Sequence, residues 1–177
     1  MTLSLVLSAA IIAGCGGSDD DVIRFGSPDE GIPTAPEVEG DQLPDVTVTS
    51  IDGQALSLRD LAGTPMVVNM WFSSCVPCKK ELPDFAEVDA ETGDAVRFVG
   101  LNLQDTPQRA EQFARDAGVG YEILLDPEQQ SALELDVAVF PSTLFVDASG
   151  RIVELHQGAL TADELREQIA ESLAVAV

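Results

Sequence analysis

The chain has 177 residues, 45% of them hydrophobic, which suits one domain with its own core and argues against global disorder. Its 31 acids against 9 Lys and Arg give a formal charge of −22, a field that repels phosphate backbones and argues against nucleic acid as a partner and against unaided binding to anionic lipid. Three cysteines and one histidine supply neither a disulfide framework nor a four-ligand metal site, so no metal and no cofactor are expected.

In chain order, the first feature is the apolar run from Leu3 to Ala13, too short to span a bilayer and of the length of an export signal's hydrophobic region. It ends in Ile12-Ala13-Gly14-Cys15. This arrangement resembles the bacterial lipoprotein signal, which implies lipidation at Cys15 and residues 1–15 as a signal peptide. Only Met1 and Thr2 precede the run, where such signals open on Lys or Arg, which leaves room for a start upstream. Residues 16–41 hold eight acids, the single base Arg24, and Pro28, Pro33 and Pro36. A segment of that composition buries too little apolar surface to fold alone, so it is expected to be a flexible linker from membrane to domain. Export also places the thiols in an oxidising compartment unless something keeps them reduced.

The domain is expected over residues 42–177. Asp45 to Thr49 alternates with period two, Asp52-Gly53 is a hairpin signal, and Ala55 to Leu58 continues beyond it. Met66 to Phe72 reads as a strand buried on both faces. From Cys78 to Ala90 the spacing is helical, with Leu82, Phe85, Ala86 and Ala90 on one face. Val96 to Leu103 reads as a second buried strand. Pro107 to Ala117 reads as a helix capped by Thr106 and stopped by Gly118. Tyr121 to Leu125 is a strand, Pro127 to Leu135 a short helix, and Ser142 to Val146 a strand. The turn Asp147 to Gly150 leads to a partner strand, Arg151 to His156. Thr161 to Leu173 closes the chain as a helix, with Thr161 and Glu164 set as a capping box. The alternation predicts an α/β fold: a central mixed β-sheet, helices on both faces, a β-hairpin added at the N-terminus and an antiparallel edge at the other end.

The chemistry sits in Trp71-Phe72-Ser73-Ser74-Cys75-Val76-Pro77-Cys78-Lys79-Lys80, which joins a buried strand to a helix. A helix start presents unpaired N–H groups and partial positive charge, so a sulfur there is favoured as thiolate, with its pKa below the free value of about 8.5. The thiolate is the form that attacks disulfides. Pro77 fits the first helical turn, where its missing N–H has no partner to lose. Lys79 and Lys80 are the only lysines in the chain. They read either as a positive patch favouring the thiolate or as a solvated pair, with Lys80 within reach of Asp84.

With these flanking residues the sequence resembles the thioredoxin superfamily, and within it the membrane-tethered extracytoplasmic reductases of the TlpA/ResA type, from about Asp45 to the C-terminus. Trp71 stands four residues before Cys75, Pro83 five after Cys78, and Phe140-Pro141-Ser142-Thr143 opens a strand with Pro141 63 residues after Cys78. The resemblance implies that Pro141 is cis and packs beside the cysteine pair, and that Trp71, Phe140 and Pro141 meet the substrate chain. It implies a redox-active disulfide between Cys75 and Cys78. It also places an acid, Glu81, near the thiols to tune their pKa values and move protons; without the resemblance Glu81 reads as a helix-surface acid. Asn69 stands where cytoplasmic thioredoxins carry a buried aspartate, and it cannot titrate. Ser74 stands where relatives often have an aromatic, leaving the site more open.

The implied reaction is dithiol/disulfide exchange. Cys75 attacks a substrate disulfide, Cys78 resolves the mixed disulfide, and a membrane thiol donor recharges the pair. The implied partners are protein disulfides, with apocytochrome c the family's common substrate, and the protein is expected to be a lipid-anchored monomer on the outer side of the cell membrane. Reduction, oxidation and isomerisation share these residues and differ in redox potential. Two other readings use the same fold. A peroxiredoxin-type peroxidase places Thr where Phe72 stands. A copper-delivery module would use both thiolates, with His156 as a third ligand, but such modules separate their cysteines by three residues rather than two. A haem attachment site needs His where Lys79 stands.

Overall fold

The computed structural model describes residues 37–177. Residues 1–36, with the expected signal peptide, Cys15 and most of the expected linker, lie outside the described residues. Seven strands form one mixed sheet in the order β2-β1-β5-β4-β3-β6-β7. The strands are β1 (Thr47–Ser50), β2 (Ala55–Ser57), β3 (Met66–Trp71), β4 (Arg97–Asn102), β5 (Glu122–Leu125), β6 (Ser142–Val146) and β7 (Ile152–Gln157), and the helices are α1 (Val76–Thr92), α2 (Pro107–Asp116), α3 (Gln130–Glu134) and α4 (Ala162–Leu173).

β3, β4 and β5 are parallel, joined through α1 and α2. Both crossovers step the same way along the sheet, and right-handed connections then bring both helices to one face. α4 joins them there: Phe85 and Val88 of α1 meet Leu165 and Ile169 of α4 over Val67, Phe98 and Phe145. The opposite face buries Met66, Val68, Met70, Leu101 and Leu144 beneath Leu58, Leu61, Ala132, Leu135 and the N-terminal residues Val38, Leu43 and Val46. The central strand β3 is buried along its whole length because sheet neighbours flank it and both faces are covered.

The expected hairpin forms and pairs antiparallel through β1 with β5. The last residues of the expected linker dock on the domain. Val38 is buried in the core, Gly40 N–H donates to Ile152 O, and Ile152 N–H donates to Asp41 O. Ordered chain thus begins before residue 42, because one apolar side chain and free edge groups beside β7 outweigh an acidic composition. The α1 stripe also differs from the expectation. Cys78, Glu81, Leu82, Phe85, Val88 and Thr92 are buried, whereas Ala86 is half-buried and Ala90 exposed.

Candidate active site

β3 ends at Trp71, whose carbonyl accepts from Leu103 N–H, and the loop after it folds back as Cys75 N–H donates to Phe72 O. Cys75 is the N-cap of α1, and its Sγ accepts from Cys78 N–H at 3.2 Å. Pro77 lies in the first turn, where a missing N–H costs nothing. Cys75 and Cys78 are joined as a disulfide with their Cα atoms 5.3 Å apart. The two sulfur residues differ in access: Cys75 keeps 6% exposure and Cys78 none, while the intervening Val76 is 68% exposed. A disulfide partner arriving at the surface therefore meets Cys75 first.

Glu81 lies one turn further along α1 and is buried, which sets aside the surface-acid reading. Oε1 accepts from Asn69 Nδ2 at 2.8 Å and Oε2 from Leu160 N–H at 3.2 Å. Burial pushes its carboxyl up; the bonds from Asn69 and Leu160 pull back, Asp84 adds to the rise, and the pKa settles at about 7. Asn69 cannot titrate, but it orients the carboxyl that does.

The Phe140–Pro141 bond is cis. β6 runs antiparallel to β3 with Ser142 opposite Met70, which sets Pro141 beside the end of β3 and the thiol loop. Phe140 is half-buried, edge-on to Phe72 with centroids 5.7 Å apart, and packs against the cluster holding both cysteines. Trp71 is a correction: expected to meet substrate, it is wholly buried, stacked on Phe113 at 5.5 Å. It closes a strand covered by α1 and α2 and supports the site from below.

Lys79 and Lys80 are exposed, and neither is ion-paired with a described residue, so the available Lys80–Asp84 pair does not form. His156 sits half-buried on β7 opposite Thr143. Ser74 is exposed, consistent with an open approach.

One part of the site was missed by the sequence reading. Asp105, in the β4–α2 loop, accepts from Ser73 N–H at 2.7 Å, from Ser73 Oγ at 2.5 Å and from Asn102 Nδ2 at 2.8 Å. Arg109 pairs with it at 3.2 Å. Burial opposes ionisation of this carboxyl, but the bonds from Ser73 and Asn102 outweigh it and hold the pKa below the ordinary value. The loop that delivers Cys75 is thereby tied to β4. The available signal was the pair Asn102 and Asp105 just ahead of the Thr106 cap.

A cysteine pair at a helix mouth, one cysteine with a small exposed fraction and one with none, beside a cis-proline loop on a thioredoxin-like sheet, defines a thiol-disulfide oxidoreductase. The chain belongs to the Redoxin family, which it matches over residues 38–173. It is 31% identical over 175 residues to the thiol:disulfide interchange protein HelX of Rhodobacter capsulatus, covering 96% of this chain and 95% of HelX. It is 28% identical over 124 residues to the thiol-disulfide oxidoreductase ResA of Bacillus subtilis, covering 70% of this chain and 69% of ResA. Among solved structures, a putative thiol:disulfide interchange protein DsbE from Chlorobium tepidum superposes with TM-score 0.68 at 25% identity, covering 76% of this chain and 96% of that one.

Proposed function

We propose that this protein is a disulfide reductase of the extracytoplasmic space, held to the membrane through lipidated Cys15. The observation that carries the reading is the unequal placement of the two sulfurs: Cys75 at the helix mouth with a backbone donor on it, Cys78 covered behind it. In the reduced protein the Cys75 thiolate is favoured by the Cys78 N–H and the helix start. It attacks one sulfur of the substrate disulfide; that bond breaks, the first substrate thiolate leaves, and Cys75 is held in a mixed disulfide. Glu81, with its pKa near 7, takes the proton of Cys78. The Cys78 thiolate then attacks Cys75 Sγ, the intramolecular disulfide forms, and the second substrate thiolate leaves. Two electrons pass from the pair to the substrate, and a membrane thiol donor returns them. Phe140 and Pro141 present the backbone that the incoming chain lies along.

The substrate class is protein disulfides. The resemblance to TlpA/ResA-type reductases favours the Cys-x-x-Cys-His segment of apocytochrome c, with the protein acting as a monomer. A redox titration of the Cys75/Cys78 pair tests the direction. A potential near that of thioredoxin, about −270 mV, is expected; one near the strong oxidants, about −120 mV, overturns the reductase reading. Cys78→Ser is expected to accumulate a mixed disulfide with substrate, and Cys75→Ser to accumulate none. Cys15→Ser is expected to release the protein from membranes, and retention of this variant overturns the anchor.

A further inference from the structure

The cleft between α1 and α2 takes no part in the exchange chemistry described above. Its inner end is a hollow of about 180 Å³ lined by Lys79 and Pro83 of α1 and by Phe113, Asp116 and Ala117 of α2 and its C-cap. Lys79 and Pro83 are four residues apart, and Phe113 precedes Asp116 and Ala117 by three and four, so each wall is one helix face. Phe113 stacks on Trp71 and, with Ala117, packs against the cluster that holds both cysteines, which makes an apolar and supported floor. Asp116 accepts from Gln112 Nε2 at 2.7 Å. Lys79 is exposed and unpaired with any described residue. A second, open hollow of about 550 Å³ shares Phe113 and Asp116 with the first and runs along α2 to Arg109. Arg109 Nε donates to Ser73 Oγ at 2.5 Å, two residues before Cys75. The cleft is thereby continuous with the thiol loop on the β4 side of β3, while Pro141 precedes β6 on the other side.

We propose that this cleft is a specificity site for the substrate polypeptide: it seats an aromatic side chain, two to four residues from the reacting cysteine, on Phe113, Pro83 and Ala117 beside Lys79. The inference rests on the reading that protein disulfides are the substrates. Three features select an aromatic ring. The floor is apolar, which favours an apolar side chain over a polar one. The inner hollow has the size for a ring, since an apolar cavity of about 150 Å³ takes up benzene. The Lys79 ammonium is attracted to the face of an aromatic ring and gains nothing from an aliphatic one. The reach follows from helix and strand geometry. Lys79 and Pro83 lie about 6 and 12 Å beyond Cys75 along the axis of α1. An extended chain advances about 3.3 Å per residue, so two to four residues cover that distance. The substrate chain is then held on both sides of Cys75, by the Phe140–Pro141 backbone on one and by its own side chain in the cleft on the other.

The test uses peptides with one cysteine held in a disulfide with 2-mercaptoethanol, carrying Phe, cyclohexylalanine or Ala three residues from that cysteine, on each side in turn. On one side the reduced protein is expected to favour Phe over Ala about tenfold in kcat/KM, through KM. Ratios between peptides cancel any change in the thiols themselves. Ala117→Leu, which fills the hollow, is expected to bring the Phe to Ala ratio to about one. Lys79→Met keeps the stem and drops the charge; it is expected to lower the Phe to cyclohexylalanine ratio about threefold. A Phe to Ala ratio of about one on both sides in the native protein overturns the proposal, as does a ratio that a folded Ala117→Leu leaves intact. Lys79 is exposed, so Lys79→Met decides even if Ala117→Leu does not fold: an unmoved Phe to cyclohexylalanine ratio overturns the proposal too. The two readings fail separately. The same peptides with Ser for Cys, titrated into the oxidised protein, need no exchange. Shifts of the Phe113 and Ala117 amide resonances with the Phe peptide and not with the Ala peptide uphold the cleft even where the redox titration shows an oxidant. Turnover with no preference for Phe removes the cleft and leaves the reductase reading in place.

Discussion

Glu81 occupies the buried stripe of α1, between Cys78 and Phe85, where an apolar residue would ordinarily stand. Its carboxyl ionises at about 7 in the fold against 4.5 in an open chain. The folded state therefore binds the extra proton between those values, and stability falls as pH rises through that window; below 4.5 both states are protonated and the penalty vanishes. A shift of this size corresponds to about 3 kcal/mol. Denaturant unfolding at pH 5 and pH 8 is expected to show the loss in the native protein and not in Glu81→Gln. Equal slopes with pH for both would deny the raised ionisation. The role of Glu81 was carried by resemblance, but its burial was legible: positions 78, 81, 82, 85 and 88 recur at helical spacing. The charge at 81 hid the stripe, and the small residues Ala86 and Ala90 took its place in the reading.

At the scale of elements, two connections set the site. The first is the Asp105 clamp on Ser73, formed by residues 32 apart in sequence. Asp105→Asn keeps one acceptor and gives up the charge-assisted bonds, so it is expected to cost about 2 kcal/mol and to quicken alkylation of reduced Cys75 as the loop loosens. Because the native carboxyl is held below its ordinary value, the clamp's stabilisation is present at neutral pH and lost on acidification through the carboxylate range. The native protein is expected to show that acid loss, and Asp105→Asn to lack it. The second connection is the start of α4, where the Thr161 and Glu164 side chains cap reciprocally and the preceding Leu160 N–H reaches Glu81. Thr161→Ala is expected to cost about 1 kcal/mol and, by loosening that donor, to raise the Glu81 pKa further; an unmoved Glu81 titration would uncouple the two. Strands, caps and the capping box were legible because each has a local signature. The clamp and the docking of Val38 were not, because each joins segments far apart in the chain and depends on register that no local pattern states. Trp71 was misread as a surface contact because its motif position, not its place at the end of a strand covered on both faces, guided the reading.

For the whole molecule, charge and site pull in different directions. The chain carries −22, while its only lysines, Lys79 and Lys80, stand exposed beside the thiols. Long-range steering follows the net field, reaching about 30 Å at 0.01 M salt and about 8 Å at 0.15 M, whereas the last approach to Cys75 passes the two lysines. If the net field governs encounter, the second-order rate for a cationic peptide disulfide falls several-fold between those salt concentrations, and the rate for an anionic aromatic disulfide rises. If the lysines govern, the signs reverse, and replacing both with Gln removes the reversal. The field of 31 acids spread over the chain reaches a substrate before two side chains can, so the first pattern is expected. Stopped-flow rates with the two disulfides across that salt range decide it, and a rate for the cationic substrate that does not fall with salt would leave the acidic surface without a part in substrate capture.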